Sequence, residues 1–324
     1  MAQAFSALSP DTVMSAVESA GVYPAAEPFA LNSYENRVLT FQDDERTRWI
    51  AKFYRPGRWE NAAIVEEHGF LTELAKAGVP VNAPWRNAAG LSLFEHGGFR
   101  FALFPHCPGQ APELENPAHL FALGELLGQL HESSEKSAFS HRPRFDHQSD
   151  IKDAEARVLA SARLNTQERR AYSSVIERTL KALSNVDWSV GPLIRTHGDC
   201  HLGNILGRDE HFTLVDFDDC MMAPAIQDIW MLLPTGEPQS WQVALDEVVE
   251  GYEQVRDFPR AQLALIEPLR AYRLIRYTAW LCSRWSDPAF PRAFPWFSDR
   301  GYWDQHIRQL EQQLLQLETP HWLA

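Results

Sequence analysis

Apolar and polar positions alternate along residues 31–104 in the way that is typical of β-strands, with one helical interruption. Four strand patterns occur there, at residues 37–41, 49–54, 91–94 and 99–104. Residues 60–77 have helical periodicity instead, with an apolar stripe made of Ala63, Phe70, Leu71 and Leu74. The pattern therefore predicts a small, β-rich lobe that contains one helix.

A segment rich in Pro and Gly, PHCPGQAPELENP, follows at residues 105–117, and the pattern changes across it from strands to helices. Beyond it, Leu120, Leu123, Leu127 and Leu130 mark one face of a helix, and amphipathic stretches continue towards the C-terminus. We therefore predict an α+β fold with two lobes. Residues 1–105 would form the small β-rich lobe, and residues 106–324 the larger helical lobe.

Composition excludes several classes of protein. The chain has 324 residues and a formal net charge of −13, without the basic patch that a nucleic-acid-binding surface requires. Its four cysteines are scattered and form no CxxC pair, which fits a reducing compartment. No apolar run approaches the ~18 residues of a membrane span, and the N-terminus resembles a capped helix, with Ser9 before Pro10, rather than a signal peptide. We expect a soluble cytoplasmic monomer.

The stretch THGDCHLGNILGRDEHFTLVDFDD, residues 196–219, carries the candidate chemistry. Asp199 is followed after four residues by Asn204, and Asp216 comes at the end of an apolar strand. This order is typical of kinase-like enzymes, in which the first acid accepts a proton and the other two side chains bind magnesium. A plain turn and a solvated strand end would explain each acid separately, but the joint spacing makes that interpretation improbable.

Lys52 lies in a strand pattern, where it shares a face with Ile50 and Tyr54. In kinases a lysine in this position contacts the nucleotide phosphates and pairs with a glutamate of the next helix. Glu66 and Glu67 are both candidates for that glutamate. We favour Glu67, because it falls on the apolar stripe of its helix and a carboxylate there needs a charged partner.

Other polar residues allow more than one interpretation. Cys200 with its neighbouring histidines could suggest zinc or a nucleophile pair, but the spacing fits neither, and His197 and His131 are better explained as packing histidines. Asp228, between apolar neighbours, either accepts hydrogen bonds from the catalytic loop or is a surface acid or helix cap.

Several of these motifs resemble one known family. HGDCHLGNIL, LVDFDD and PAIQDIW are similar to the kinase-like superfamily of aminoglycoside phosphotransferases and choline kinases. LNSYENRV, AKFYRPGRW, EEHGF, QDIWMLL, EPLRAYRL and WSDPAFPRAFPW resemble, more narrowly, the bacterial stress response kinases, which are serine/threonine protein kinases.

This resemblance implies a bilobal kinase fold, ATP as phosphoryl donor, Mg²⁺ as cofactor, and a protein substrate with a Ser or Thr acceptor. Residues 1–105 would then be the nucleotide-binding lobe, and residues 106–324 the lobe for catalysis and substrate. By motif, Asp199 is carried over as the proton acceptor, with Asp216 as its catalytic companion. Asn204 and Asp216 are carried over as metal ligands, and Ser33 of LNSYENR as a position that contacts ATP, beside Lys52 and Glu67.

The sequence departs from eukaryotic-type protein kinases in two ways. The nucleotide loop LNSYENRV has no glycine, so the usual glycine-rich cradle for phosphates is absent. Residues 217–230 contain no Ser, Thr or Tyr, so that an activation loop switched by phosphorylation has no acceptor there. We therefore predict a site that is assembled without phosphorylation.

Two other functions use the same residues. A small-molecule kinase would phosphorylate an amino-alcohol or an aminoglycoside-like compound, and the acidic pair Asp218 and Asp219 could attract such a cationic substrate. A nucleotide-binding pseudokinase could act as a regulatory module, although the presence of Lys52, Asp199, Asn204 and Asp216 argues against it.

The helical pattern at residues 267–285 is a candidate wall for the substrate. Arg270, Arg273 and Tyr277 share one face, with Trp280 adjoining. Structural pairing of the two arginines with Asp or Glu is an equally good interpretation.

Overall fold

The computed structural model describes residues 4–233 and 238–318. Its α-helices are α1 (Pro10–Ser19), α2 (Asn61–Lys76), α3 (Pro117–Ser134), α4 (His147–Ala160), α5 (Thr166–Leu183), α6 (Ile226–Ile229), α7 (Pro238–Tyr252), α8 (Ile266–Arg284), α9 (Ala289–Ala293) and α10 (Tyr302–Glu318). Its strands are β1 (Phe29–Ala30), β2 (Arg37–Gln42), β3 (Arg48–Phe53), β4 (Phe94–His96), β5 (Phe99–Pro105), β6 (Leu193–Thr196), β7 (Ile205–Arg208), β8 (His211–Leu214) and β9 (Met221–Pro224).

The chain divides into two compact units that interleave along the sequence. The first comprises Met1–Pro143, Ile194–Ala223 and Met231–Phe258, and the second comprises Arg144–Leu193, Pro224–Trp230 and Pro259–Ala324. This division follows contacts between residues and does not test the predicted boundary between functional lobes at residues 1–105 and 106–324. The boundary between those lobes stays a prediction.

The first unit contains an antiparallel sheet with the strand order β1-β2-β3-β5-β4. Trp49, Ala51 and Phe53 of β3 face a core that also contains Val13 and Val17 of α1. Because successive side chains of a strand point to opposite faces, Lys52 is directed to the other side of the sheet. Hydrophobic alternation in β3 thus decides which side of the sheet carries this lysine.

The helical predictions for the first unit are confirmed. Ser9 caps α1 by accepting a hydrogen bond from the Thr12 backbone N–H at 3.1 Å, with Pro10 in the first turn. In α2 the predicted stripe of Ala63, Phe70, Leu71 and Leu74 is buried.

One strand differs from the prediction. β4 begins at Phe94 rather than at Leu91, because Asn87 organises the preceding residues into a turn. Its side chain accepts from the backbone N–H groups of Ala89 at 3.1 Å and Leu91 at 3.0 Å, and residues 91–93 lie outside the sheet. An Asx turn of this kind competes with strand pairing.

Two further helices of the first unit, α3 and α7, cross very closely. A Cβ atom added at Gly251 would lie 1.9 Å from the Phe121 carbonyl oxygen, and one at Gly124 would lie 2.2 Å from that of Val248. Only glycine allows this approach of two backbones. The contact places α3, with its buried leucine face, against α7.

The second unit is helical. Helices α4, α5, α8 and α10 surround a core that contains Val158, Tyr172, Ile275 and Trp303. None of the described helices combines the length and the apolar character that crossing a membrane requires.

A buried histidine of α2 is expected to make the fold sensitive to acid. His68 is fully buried, with its ring 2.8 Å from the Tyr54 hydroxyl and 2.9 Å from the Ser92 hydroxyl. Burial, together with the nearby charges of Lys52, Arg86 and Arg142, lowers its pKa to about 3. The unfolded chain binds this proton near pH 6.5 and the folded chain does not, so stability should fall as the pH drops below 6.5.

We expect His68→Gln to flatten this dependence, since glutamine keeps polar partners for both hydroxyls without titrating. Between pH 6 and pH 4 the free energy of unfolding should fall more steeply in the unmodified protein than in the variant, by about 1.4 kcal/mol per pH unit. Chemical denaturation at several pH values measures the difference. His211→Gln, at an exposed site, is the matched control, and equal slopes for all three proteins would contradict the prediction.

Candidate active site

The predicted catalytic loop begins with a glycine that no other residue could replace. Gly198 has φ +85°, and a Cβ atom there would lie 2.1 Å from the carbonyl oxygen of Asp219. Positive φ and this close approach both require glycine. The HGD motif therefore brings the catalytic loop directly against the segment that contains Asp219.

His197 holds the same two segments together from inside. Its side chain is fully buried, its Nε2 donates to the Val215 carbonyl at 2.9 Å, and its ring lies 4.3 Å from that of Phe217. The backbone N–H of Asp199 lies 3.4 Å from its Nδ1. The prediction of a packing histidine is confirmed, and the packing positions the catalytic loop.

The structure brings Asp199, Asn204 and the residue before Asp216 together. The Asn204 side-chain amide donates to the Asp199 backbone carbonyl at 3.0 Å, and the Asn204 carbonyl accepts from the Val215 N–H at 2.9 Å. The Asp199 carboxylate is about a quarter exposed, and His201 Nε2 lies 3.5 Å from its Oδ2. Local hydrogen bonds thus bring the backbone segments that carry the three predicted polar residues close together.

Asp216 follows a strand that is held on both sides. β8 pairs with β7, and Leu214 exchanges backbone hydrogen bonds of 3.0 Å with Pro80 and Asn82. Immediately afterwards Asp216 adopts φ +59°, a conformation that aspartate tolerates better than most residues. Its side chain is half exposed. A fixed strand followed by a turned, accessible carboxylate is what a metal ligand requires.

Lys52 is buried among three carboxylates. Its Nζ lies 2.7 Å from Asp216, 3.4 Å from Asp218 and 3.8 Å from Glu67. Burial alone would lower the pKa of Lys52, but the three carboxylates, Asp216 first, together raise it well above its ordinary value. The lysine therefore stays charged.

Of the two candidate glutamates, Glu67 is the one beside Lys52. It is buried, its Oε2 lies 3.7 Å from Arg142, and burial raises its pKa to about 7 although both cations oppose the rise. Glu66 instead accepts hydrogen bonds of 2.6–2.8 Å from three successive backbone N–H groups, at Ser140, His141 and Arg142. These bonds lower the pKa of Glu66, although its partial burial acts in the opposite direction.

Glu66 thereby fastens α2 to residues 140–142, and we expect Glu66→Gln to loosen this connection. The neutral amide offers one acceptor oxygen in place of two charged ones. Thermal unfolding should show a loss of about 1–2 kcal/mol. Glu18→Gln, at an exposed position of α1, serves as the control, and equal stability of the two variants would count against this role.

The cluster of charged side chains around Lys52 also contains two arginines and an aspartate. The sequence did not predict that any of these three belongs to it. Arg142 is fully buried and donates to the backbone carbonyls of Asp218, at 2.5 Å, and Cys220, at 3.0 Å. Arg58 pairs with the carboxylates of Asp218 and Asp219. Nothing in the local sequence indicated the burial of Asp218 or identified Arg142 as its neighbour.

The proposed attraction of a cationic substrate by Asp218 and Asp219 has to be corrected. Asp218 is buried, and Arg58, Lys52 and Arg142 hold its pKa well below the usual range, against the effect of burial. Asp219 is half exposed, but its Oδ1 lies 2.6 Å from Arg58. Both charges are thus already compensated within the protein.

The nucleotide loop takes its shape without glycine. No residue between 31 and 38 has positive φ, so that the backbone does not need one. The Ser33 hydroxyl accepts from the Val38 N–H at 3.0 Å and donates to the Leu31 carbonyl at 3.4 Å. Its predicted contact with ATP stays a prediction.

The remaining candidates have separate outcomes. His131 packs on Tyr252 and bonds to its hydroxyl at 3.0 Å, as predicted. Asp228 is fully buried, so that the interpretation as a surface acid is wrong.

In the helix that was a candidate wall for the substrate, Arg270 pairs with Glu267 at 2.8 Å. This is the structural pairing that was one of its two interpretations. Half-buried Tyr277 and Trp280 contact each other. The assignment of this helix as a substrate wall stays a prediction.

None of the four cysteines, Cys107, Cys200, Cys220 and Cys282, forms a disulfide.

Comparison with known proteins gives consistent results. The model of the phosphotransferase enzyme family matches residues 26–265. Serine/threonine protein kinase RdoA of Salmonella typhimurium is 40% identical over 316 residues, which cover 98% of this chain and 95% of that protein. Stress response kinase A of Escherichia coli K12 is 39% identical over 319 residues, with the same coverage. The resemblance found from the motifs is confirmed.

Solved structures of lower sequence identity share the fold. Amicoumacin kinase hAmiN, in complex with AMP-PNP, Ca²⁺ and Ami, has a TM-score of 0.73 at 18% identity and covers 96% of this chain, with 95% of its own covered. The microcompartment-associated aminopropanol kinase has a TM-score of 0.69, also at 18% identity, with 94% and 95% covered. These likenesses confirm the predicted kinase-like α+β fold. Together with the sequence relatives, they show that the chain belongs to the phosphotransferase enzyme family.

Proposed function

We propose that the protein is an ATP- and Mg²⁺-dependent serine/threonine protein kinase that acts in a cellular stress response. The observation that carries the proposal is the convergence of Lys52, Asp199, Asn204 and Asp216 within one compact unit. Protein as the substrate class is supported by relatives about 40% identical over nearly the whole chain, which are named as serine/threonine protein or stress response kinases.

Asp199 would orient the acceptor hydroxyl and accept its proton. The carboxylate is partly exposed, as contact with a substrate requires, and its backbone is fixed by His197 and Asn204. A carboxylate is a weak base. In phosphoryl transfer, however, the proton leaves late, so that position contributes more than basicity.

The donor set of Asn204 and Asp216 fits magnesium, which prefers oxygen ligands and often binds through one or two protein side chains and phosphate oxygens. In the described part of the chain, no group of three or more His, Cys, Asp or Glu side chains could hold a metal ion by itself. Two protein side chains would leave the remaining coordination positions of the cation to phosphate oxygens and waters. When bound, the cation would neutralise phosphate charge. Lys52, held by Asp218 and Glu67, would contact the phosphates.

A direct transfer assay tests the proposal. The protein is incubated with γ-labelled ATP, Mg²⁺ and a generic protein substrate, and the label on serine and threonine is measured; Asp199→Asn is the control for contaminating kinases. Labelled protein in the first sample and not in the control is expected. Transfer to hydroxylated metabolites of a panel, with protein unlabelled, would favour a small-molecule kinase. ATP binding without transfer to any acceptor would favour the pseudokinase interpretation.

A further inference from the structure

Arg58 lies between the nucleotide loop and the segment after Asp216. Its Nη1 pairs with Asp218 Oδ2, its Nη2 lies 2.6 Å from Asp219 Oδ1, and its Nε lies 3.8 Å from Glu35 Oε1. The side chain is 15% exposed, so that these pairs are largely shielded from water. One guanidinium therefore joins a carboxylate of the loop to two carboxylates of the catalytic segment.

A second connection runs parallel to the first. Asn36, buried at the end of the loop, donates from Nδ2 to the same Asp218 carboxylate at 3.1 Å. Its Oδ1 accepts from the Arg55 backbone N–H at 3.0 Å, and the Arg55 side chain donates to the backbone carbonyls of Glu35 and Tyr34 at 2.8 and 3.0 Å. Hydrogen bonds to a side chain of the loop and to its backbone carbonyls thus fix its position.

We propose that Arg58 is a positioning residue of the nucleotide site. Through Asp218, it holds the glycine-free loop of residues 31–38 in a fixed position relative to Asp216 and Lys52. This inference rests on the proposed use of ATP. In a glycine-rich loop, backbone flexibility lets the chain close over the phosphates. Here the loop contains no glycine, and ionic and amide contacts set its position instead.

Asp218 is the point at which the two connections meet Lys52. Its Oδ2 receives Arg58 and Asn36, while its Oδ1 lies 3.4 Å from Lys52 Nζ. A shift of the loop would therefore also shift the counter-charge of the lysine. Loss of Arg58 should reduce the fraction of molecules in the binding-competent arrangement, and the apparent Kd for nucleotide rises in proportion to that loss.

The test compares Arg58→Met with Arg58→Lys, and uses Arg178→Met, from an exposed pair with Glu311 at 3.4 Å, as the control. Binding of a non-hydrolysable ATP analogue with Mg²⁺ is titrated, KM for ATP and kcat are measured, and thermal unfolding shows which variants are folded. We expect Arg58→Met to weaken nucleotide binding and raise KM about 10-fold, with a much smaller change in kcat. This is the effect expected if about one tenth of the molecules are in the binding-competent arrangement. Arg58→Lys should recover part of the affinity.

The inference is overturned if folded Arg58→Met binds the analogue as tightly as the unmodified protein, whatever its thermal stability. If Arg58→Met does not fold, Asn36→Ala decides in the same assay, since it removes the parallel connection and should weaken binding in the same way. Failure of the unmodified protein to bind the analogue would count against the proposed function instead.

Discussion

Asp199→Asn is expected to lower kcat by about 100-fold or more. Asparagine has nearly the same size and can keep a hydrogen bond to the acceptor hydroxyl, but it cannot accept the proton at neutral pH. The backbone contacts of this position, to His197 and Asn204, do not involve the carboxylate and should persist. The variant should therefore fold normally and lose turnover alone.

Initial rates with labelled ATP measure this effect, and titration with a non-hydrolysable ATP analogue measures nucleotide affinity separately. Affinity should change little, because the predicted contact of Asp199 is with the acceptor rather than with the nucleotide. An Asp199→Asn variant that keeps kcat within a few-fold of the original would remove this residue from the chemistry.

Asp216→Asn is expected to abolish productive use of magnesium. The substitution removes the charged oxygen donor, so that kcat should fall by at least about 100-fold, the cost of roughly 3 kcal/mol in transition-state stabilisation. Added Mg²⁺ should no longer strengthen binding of the ATP analogue. The fold should survive, because asparagine also tolerates positive φ and Lys52 keeps Asp218 and Glu67 as counter-charges.

A matched control for this variant is Asp209→Asn. Asp209 has nearly the same backbone conformation, φ +53° against +59° for Asp216, but lies at an exposed turn between β7 and β8. The control should keep both magnesium dependence and kcat. If Asp216→Asn retained magnesium-stimulated nucleotide binding, the assignment of Asp216 as a metal ligand would be wrong.

Periodicity and motif spacing allowed most of the candidate site residues to be predicted from the sequence. Asp199, Asn204 and Asp216 lie within one stretch of 18 residues and are connected by local hydrogen bonds. Glu67 was identified because a carboxylate on an apolar stripe must find a cation when the helix packs. These predictions depend only on residues close together in the chain, because the period of a helix or strand shows which of them share a buried face.

Other features depended on residues far apart in the chain. Glu66 finds its three backbone donors more than 70 positions away, and Arg58 and Asp218 are separated by 160 positions. The suggestion that Asp218 and Asp219 could attract a cationic substrate was wrong for the same reason, because their pairing with Arg58 could not be read from the short segment that contains them.

The sequence by itself thus determined the α+β kinase-like class and the side chains that carry the proposed chemistry. Only the tertiary structure decided how those side chains are held: Lys52 among three carboxylates, α2 fastened through Glu66, and the nucleotide loop tied to Asp218 through Arg58 and Asn36. The physical reason is that burial follows from local pattern, whereas the partner of a buried charge is chosen by packing between segments distant in sequence.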